Sequence, residues 1–332
     1  MLQLAERGLI NLDTPVTEYV PYFRTRGRLW ARITPRHLLQ HTSGLPHGRL
    51  LRMSDRGDKE ALELAVHGLR FWGLRRAPGE ATSYSNLGFM VVGDLVARVS
   101  EQPFEAYVGE DILRPLGMTD STYFPHQANL DLLTTGHMRT GFLIGKPREL
   151  KRRTCRCAHA PAGGLYSNVV DLAKWASAHL HGGEFGGARI FTSEAFSRLE
   201  ETLRAQPNGA SVGLGWFLRD GEGHPAFGYI GDTLGYKAHI LIVPALDTAA
   251  VLLCNALLEP SEPAWSAIKE AMLQRSAARR GMHQEKTGQG PANSRRGPQK
   301  RPSSQKPSYT KSSSGTDTER QSVGLFGDCA LL

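Results

Sequence analysis

The chain has 332 residues, of which 40% are hydrophobic, and can bury one large core or two modest ones, as globular proteins do. It contains no run of about 18 apolar residues, so no transmembrane segment is expected, and its first residues lack the pattern of a signal peptide. The net charge of +8 would suggest an acidic partner if it were spread evenly over the chain. Residues 275–332, however, hold 11 basic and 4 acidic residues, so nearly all of the net positive charge lies in this segment.

Residues 275–332 form a segment dominated by Ser, Gly, Pro, Gln and basic residues, without any of the five Trp residues. Such a composition cannot bury enough apolar surface to offset the entropy lost on ordering, so the segment is predicted to be a disordered tail. Its basic residues could bind anionic surfaces, but a simple solvated extension is the preferred interpretation. No specific nucleic-acid site is predicted, and the remaining residues, 1–274, are predicted to form the folded domain.

The first two thirds of the folded part are predicted to be mainly helical. Thr34 is a suitable helix cap with Pro35 at the first helical position, and Gly44 is a suitable end for that helix. Apolar residues recur at helical spacing after Asn86, which predicts an amphipathic helix there. Further helices are predicted to begin at Pro103 and Asp171.

The pattern then changes to apolar runs and period-two alternation, which is typical of strands. The segments "HPAFGYIGD", "GYKAHILIVP" and "TAAVLLCNA" are separated by turn residues and predict three antiparallel strands. A final helix, "PAWSAIKEAML", follows them. Helices followed by an antiparallel meander and a closing helix predict an α+β fold.

The cysteines and histidines do not form a convincing metal site. Cys155 and Cys157 lie near His159, but a structural zinc site needs four ligands at recognisable spacings, and no second pair is present. A plain loop is therefore the preferred interpretation, and neither a metal nor a cofactor is expected. His179 and His181 are interpreted as the frayed end of a helix before a glycine pair.

Several serines match nucleophile motifs in unsuitable surroundings. Ser211 lies in a Gly-x-Ser-x-Gly sequence, but polar residues precede it and a strand-like segment follows, the reverse of a nucleophile elbow. Ser43 is explained as part of a helix stop. Ser-x-x-Lys or Lys-Thr-Gly matches without the necessary context occur at 266–269, 303–306, 308–311 and 286–288.

Tyr84, Ser85 and Asn86 stand directly before the predicted helix, where local sequence alone favours a cap. The surrounding segments, however, resemble the serine β-lactamase-related superfamily: "LAERGLINLDTPVTEYVP", "ITPRHLLQHTSGLPHG", "PGEATSYSNLGFMVVGDLV", "ILRPLGMTDSTY", "APAGGLYSNVVDLAKWA" and "GLGWFL". This group includes class C β-lactamases, penicillin-binding DD-peptidases, esterases and amide hydrolases. The resemblance runs from Met1 to about Asn255, and it implies an antiparallel sheet flanked by helices beside an all-helical region.

The resemblance also implies roles for particular residues. Family chemistry uses a Ser-x-x-Lys element, a Tyr-x-Asn or Ser-x-Asn loop, and a Lys-Thr-Gly or His-x-Gly strand. Tyr84 would be the base or proton relay, and Asn86 would orient the substrate. Gly231 would allow close backbone approach, and the N–H of Asp232 would serve as an oxyanion donor. Tyr229 stands where the family has a cation, so a substrate carboxylate would lose its usual partner.

The Ser-x-x-Lys element would precede the segment that begins here at Met1, so the nucleophile and two N-terminal strands are expected to be missing. The chain as given is then expected to be inactive, and residues 248–256 to present an aggregation-prone sheet edge. Two hypotheses remain open. One is a serine hydrolase, recorded from too late a start, that acts on a small-molecule ester, amide or peptide-like substrate through an acyl-enzyme. The other is a non-catalytic descendant or gene fragment that acts as a binding protein.

Overall fold

A computed structural model of the chain describes residues 1–48, 60–124, 127–128, 131–139, 147–149, 157–201, 212–220, 223–233, 235–256 and 261–286. Its α-helices are α1 (Leu2–Glu6), α2 (Pro35–Leu39), α3 (Glu60–Gly68), α4 (Asn86–Val99), α5 (Phe104–Val108), α6 (Ala160–Gly163), α7 (Val169–Leu180), α8 (Ser193–Glu201) and α9 (Ser261–Lys286). Its strands are β1 (His137–Arg139), β2 (Pro147–Glu149), β3 (Glu184–Phe185), β4 (Ala188–Arg189), β5 (Phe217–Asp220), β6 (Pro225–Thr233), β7 (Tyr236–Val243) and β8 (Thr248–Cys254). Cys155, Ser211 and residues 287–332 of the predicted tail lie outside the described residues.

The main sheet has four antiparallel strands in the order β5-β6-β7-β8. The three strands predicted from the period-two pattern are confirmed as β6, β7 and β8, and β5 adds a fourth beside β6. Tyr229 of β6 pairs with Ile240 of β7, which in turn pairs with Val251 of β8. Sequential strands joined by short turns produce this simple meander.

Both faces of the sheet are covered, because successive side chains of each strand point to opposite faces. On one face, Phe227, Ile240 and Ile242 belong to a core shared with residues of α7 and α8. On the other face, Ala226 and Leu241 belong to a second core that includes Trp265 of α9. The sheet therefore lies between helices, which confirms the predicted α+β class.

The all-helical region is built around α4. Leu87, Met90, Val91 and Leu95 of this helix are fully buried in a core that also contains residues of α1, α2 and α3. The apolar spacing read from the sequence therefore marks the face that α4 buries. In the chain as described, no helix combines the length and hydropathy that a membrane crossing requires.

Three helix boundaries differ from the predicted ones. Helix α2 ends at Leu39, before Gly44, because the backbone turns into the left-handed region at His41 (φ 55°). Helix α7 begins at Val169, since the side chain of Asn168 caps it by accepting from the N–H of Asp171 at 2.9 Å. Helix α9 continues to Lys286, so the first residues of the predicted tail are helical.

His179, which the sequence places at a frayed helix end, is in fact only 2% exposed. Its ring packs edge-on against Trp175, Phe191 and Trp216, with ring centroids 4.2, 5.2 and 5.3 Å away. One ring nitrogen lies 3.0 Å from the backbone oxygen of Trp175. The prediction was wrong because Phe191 and Trp216 come from other segments of the chain, and local pattern does not reveal such partners.

Candidate active site

The segment that carries Tyr84 is held in place by its neighbour. The Ser85 hydroxyl accepts a hydrogen bond from the N–H of Gly88 at 3.1 Å, which caps α4, and donates one to the backbone oxygen of Pro46 at 3.0 Å. Both bonds are buried, so the hydroxyl serves the structure. Asn86 is the first residue of α4 and is 3% exposed.

Tyr229 of β6 lies next to Tyr84. Its phenol donates to the Tyr84 oxygen over 3.4 Å, which is long for a hydrogen bond between hydroxyls. The helical region supplies one phenol and the sheet supplies the other. The structure thus brings together residues 145 positions apart that the resemblance assigned to the second and third motifs.

Gly231 and Asp232 follow Tyr229 along β6. They pair with Ala238 and Lys237 of β7, whereas pairing with β5 ends at Gly228. Residues 229–232 therefore extend past the end of β5. By strand alternation, Gly231 shares a face with Tyr229 and the Asp232 side chain points to the other face. One Asp232 carboxylate oxygen is buried and finds no hydrogen-bond partner among the described residues.

Aromatic side chains that the sequence analysis did not identify surround the two phenols. The ring of His41 lies 4.5 Å from that of Tyr84, and the ring of Phe217 lies 5.3 Å from that of Tyr229. His47 is also near Tyr84, with centroids 5.5 Å apart. Because His41 and His47 are contributed by the loop after α2, only the quoted segment "LLQHTSGLPHG" hinted at them.

Burial sets the charge state of two of these groups. The pKa of Tyr229 is raised well above its ordinary value, first because burial disfavours the phenolate and then because of Tyr84. Burial, with a smaller effect from His47, lowers the pKa of His41 to about 3. Both side chains are therefore neutral at pH 7.

Within the described parts of the chain, no cluster of acidic, His or Cys side chains suits a metal ion.

Two of the serines considered as alternative nucleophiles, Ser266 and Ser43, lie within the described residues. Ser266 is exposed on α9, the helix whose Trp265 packs against the face of the sheet that Tyr229 does not share. Ser43 is buried, and its hydroxyl accepts from the N–H of Leu45 at 3.3 Å in a local turn. These surroundings agree with a coincidental motif match at Ser266 and with a structural role for Ser43.

Comparison with known proteins identifies the family. A family model described as Beta-lactamase matches residues 1–273. The chain is 26% identical over 262 residues to penicillin-binding protein 4 of Amycolatopsis lactamdurans, covering 77% of this chain and 68% of that protein. It is 25% identical over 257 residues to Protein flp of Staphylococcus aureus, covering 77% of this chain. The match covers 50% of Protein flp, so the chain spans about half the length of that relative.

A solved structure supports the fold. The octameric penicillin-binding protein homologue from Pyrococcus abyssi superposes with a TM-score of 0.62 at 24% identity, covering 77% of this chain and 58% of the other. The helical region, the antiparallel meander and the motif order agree with this assignment. The chain therefore belongs to the Beta-lactamase family, within the superfamily of serine hydrolases and penicillin-binding proteins.

Proposed function

We propose that this chain carries the second and third catalytic elements of a serine hydrolase that acts on a neutral ester or amide through an acyl-enzyme. The 3.4 Å contact between the Tyr84 and Tyr229 phenols carries the proposal, because it joins the two motif positions. In this proposal Tyr84 moves the nucleophile's proton and Asn86 orients the substrate. Gly231 and the N–H of Asp232 line the oxyanion position at the strand edge beyond β5.

Tyr229 is the basis for proposing a neutral substrate. Its phenol stays protonated, because burial raises its pKa, so it can donate a hydrogen bond to a developing negative charge at Tyr84 but cannot pair with a substrate carboxylate as a lysine would. The aromatic rings of Phe217 and Tyr84 beside it favour a substrate with an apolar or aromatic group. A neutral aryl ester fits this chemistry better than a β-lactam bearing a carboxylate.

The serine nucleophile is proposed not to be among the residues of this chain. No Ser-x-x-Lys precedes Tyr84 in the sequence, and Ser266, the candidate in α9, is exposed on a helix that packs on the other face of the sheet. Loss of a nucleophilic serine costs on the order of 10⁶ in turnover. We therefore expect no labelling by a fluorophosphonate or fluorescent penicillin, as read by intact-protein mass spectrometry. Stoichiometric labelling of Ser266 or Ser211 would contradict this part.

Substrate class is testable in the chain as it exists, because binding does not require the nucleophile. Phenyl acetate and phenylacetate, titrated separately and followed by tyrosine ring resonances, should show preferential binding of the neutral ester. Tyr229→Lys should strengthen binding of the carboxylate by about tenfold, since a charge-assisted hydrogen bond replaces a neutral one. Tyr229→Phe is the control and should leave carboxylate binding weak. Preferential carboxylate binding by the unmodified chain would refute the proposed substrate class.

The second candidate is a binding protein that retained the Tyr84 and Tyr229 positions without catalysis. The Tyr229 position favours it, because a neutral phenol in place of a cation preserves a ligand contact and removes a catalytic charge. An experiment that joins the chain to a family segment carrying Ser-x-x-Lys distinguishes the two candidates. Ester hydrolysis that is lost on Tyr84→Phe would support the hydrolase, whereas ligand binding without turnover would support the binding protein.

A further inference from the structure

His41 lies directly behind the Tyr84 segment and contacts it with both backbone and side chain. The backbone oxygen of His41 accepts a hydrogen bond from the N–H of Ser83 at 2.7 Å. Its ring nitrogen Nδ1 accepts another from the N–H of Ser85 at 3.2 Å. One residue therefore binds the chain immediately before and immediately after Tyr84.

The ring of His41 also packs against the Tyr84 ring itself. Their centroids are 4.5 Å apart at an interplanar angle of 43°. The imidazole is close to Phe89 as well, with centroids 5.0 Å apart, and to Phe217, 6.0 Å away. The histidine thus connects the α4 helix, the β5 strand and the Tyr84 segment.

The hydrogen bond from Ser85 determines the form of the imidazole. Because Nδ1 accepts, it carries the lone pair, and the proton of the neutral ring resides on Nε2. Nε2 is buried and has no hydrogen-bond partner among the described residues. An apolar side chain would avoid that unsatisfied donor, so the presence of histidine indicates that the acceptor at Nδ1 is needed.

The backbone at His41 is a second unusual feature of this residue. Its φ of 55° lies in the left-handed region, which costs free energy for any residue except glycine and which Asn, Asp and His tolerate best. Strained backbone of this kind persists when surrounding contacts enforce it, and it clusters at functional sites.

We propose that His41 is a positioning residue that fixes the Tyr84 phenol towards Tyr229 by clamping Ser83 and Ser85. The imidazole does not exchange a proton with substrate; it acts through the tyrosine segment. This inference rests on the role proposed for Tyr84, yet the clamp itself can be measured without any substrate.

The first test uses the unmodified chain. With uniform ¹⁵N labelling, a scalar coupling across the hydrogen bond should connect the Ser85 amide nitrogen with Nδ1 of His41, and the ring should show a protonated Nε2. Absence of the coupling, or a protonated Nδ1 at pH 7, would overturn the proposal. This measurement does not depend on any variant remaining folded.

The second test compares two variants that both tolerate a left-handed backbone. His41→Gly removes the acceptor and the ring, whereas His41→Asn keeps an acceptor near the position of Nδ1. With ¹³C-labelled tyrosine, His41→Gly should shift and broaden the Tyr84 ring resonance, and His41→Asn should return it most of the way. The buried Tyr107, whose phenol donates to Gln3 at 2.9 Å, is the internal control and should not shift in either variant.

Two outcomes of this comparison would refute the clamp. One is a Tyr84 resonance unchanged in His41→Gly; the other is a His41→Asn spectrum as perturbed as that of His41→Gly. Ester titrations of the same samples report separately on the proposed function. A perturbed Tyr84 signal in a chain that binds no ester would leave the clamp established and refute the proposed substrate.

Discussion

At the scale of single residues, Ser85 shows why a serine beside Tyr84, the proposed proton relay, need not be reactive. Its hydroxyl uses its one donor on Pro46 and an acceptor position on the N–H of Gly88. The residue is 1% exposed, so water cannot replace either partner. One side chain therefore both caps α4 and anchors the loop that contains Pro46.

Ser85→Ala should lower the free energy of unfolding by about 1–2 kcal/mol, because α4 loses its cap and the buried oxygen of Pro46 loses a donor. Urea unfolding followed by circular dichroism measures this change. Ser266→Ala, at an exposed position of α9, is the matched control and should change stability by less than about 0.5 kcal/mol. Equal effects of the two substitutions would contradict the cap assignment.

A second buried polar group is Asp94 of α4, whose carboxylate accepts a hydrogen bond from the Tyr22 phenol at 2.7 Å. Burial nevertheless dominates and raises the pKa of Asp94 to about 6. Since the folded state holds this proton more tightly than the unfolded chain, Asp94 favours folding below about pH 4, and that contribution is lost as the pH rises through 6.

Asp94→Asn should therefore reduce the decrease in the free energy of unfolding that occurs as the pH rises from 4 to 7. The expected difference is on the order of 2–3 kcal/mol, from a pKa displaced by about two units. Comparing unfolding free energies of variant and parent at each pH cancels contributions from His41 and His179, whose pKa values burial lowers. Parallel stability curves for the two proteins would show that Asp94 does not titrate in this range.

At the scale of elements, α4 approaches α6 so closely that one position has no room for a side chain. A Cβ at Gly93 would lie 2.1 Å from Cγ of Pro161 and 3.3 Å from Cδ2 of Leu62. At Gly109, also in helical conformation, a Cβ would meet no neighbouring atom within 4 Å. Packing therefore requires a glycine at position 93 but not at position 109.

Gly93→Ala should destabilise the protein by about 1–3 kcal/mol through overpacking, despite the better helix propensity of alanine. Gly109→Ala is the matched control and should be neutral or stabilising by up to about 1 kcal/mol. Thermal unfolding of both variants distinguishes the two effects. A stabilised Gly93→Ala protein would show that α6 can move away from α4 at little cost.

The sequence predicted elements well where one local pattern dominated. Strands β6, β7 and β8 were predicted because their apolar runs, bounded by turn residues, reflect a sheet covered on both faces, and α4 because its apolar spacing is regular. The start of α7 was misplaced because Asn168, rather than Asp171, is the cap. The contacts of His41 and His179 were not predictable, since most of their partners are brought together only by the tertiary fold. The predicted positions of Tyr84 and Tyr229 came from the family resemblance and not from local pattern.

At the scale of the whole molecule, strand β8 lies at the end of the sheet order. Its residues pair with β7 and, within the described parts of the chain, with no second strand along Thr248–Cys254. Just beyond the strand, the backbone oxygen of Asn255 accepts a hydrogen bond from the N–H of His137 at 2.8 Å, so the segment around His137 lies against the C-terminal end of β8. A strand with unpaired backbone groups along one side is a site for association with another chain.

We therefore expect the chain to self-associate in a concentration-dependent manner. Size-exclusion chromatography with light scattering, over about a hundredfold range of concentration, measures the mass directly. Thr248→Lys places a charge at the start of the strand and should reduce the association. A monodisperse monomer throughout the range, with cooperative unfolding, would contradict the expectation.

The clamp between His41 and the Tyr84 segment has a consequence for hydrogen exchange. The amides of Ser83 and Ser85 lie outside any helix or strand, yet both are hydrogen-bonded to a buried residue. Their deuterium uptake should therefore be as slow as that of α4, although loops normally exchange fast. Uptake at these two amides that matches α4 would show that they open together with the helical core, and that the loop presenting the phenol persists as long as the core beneath it.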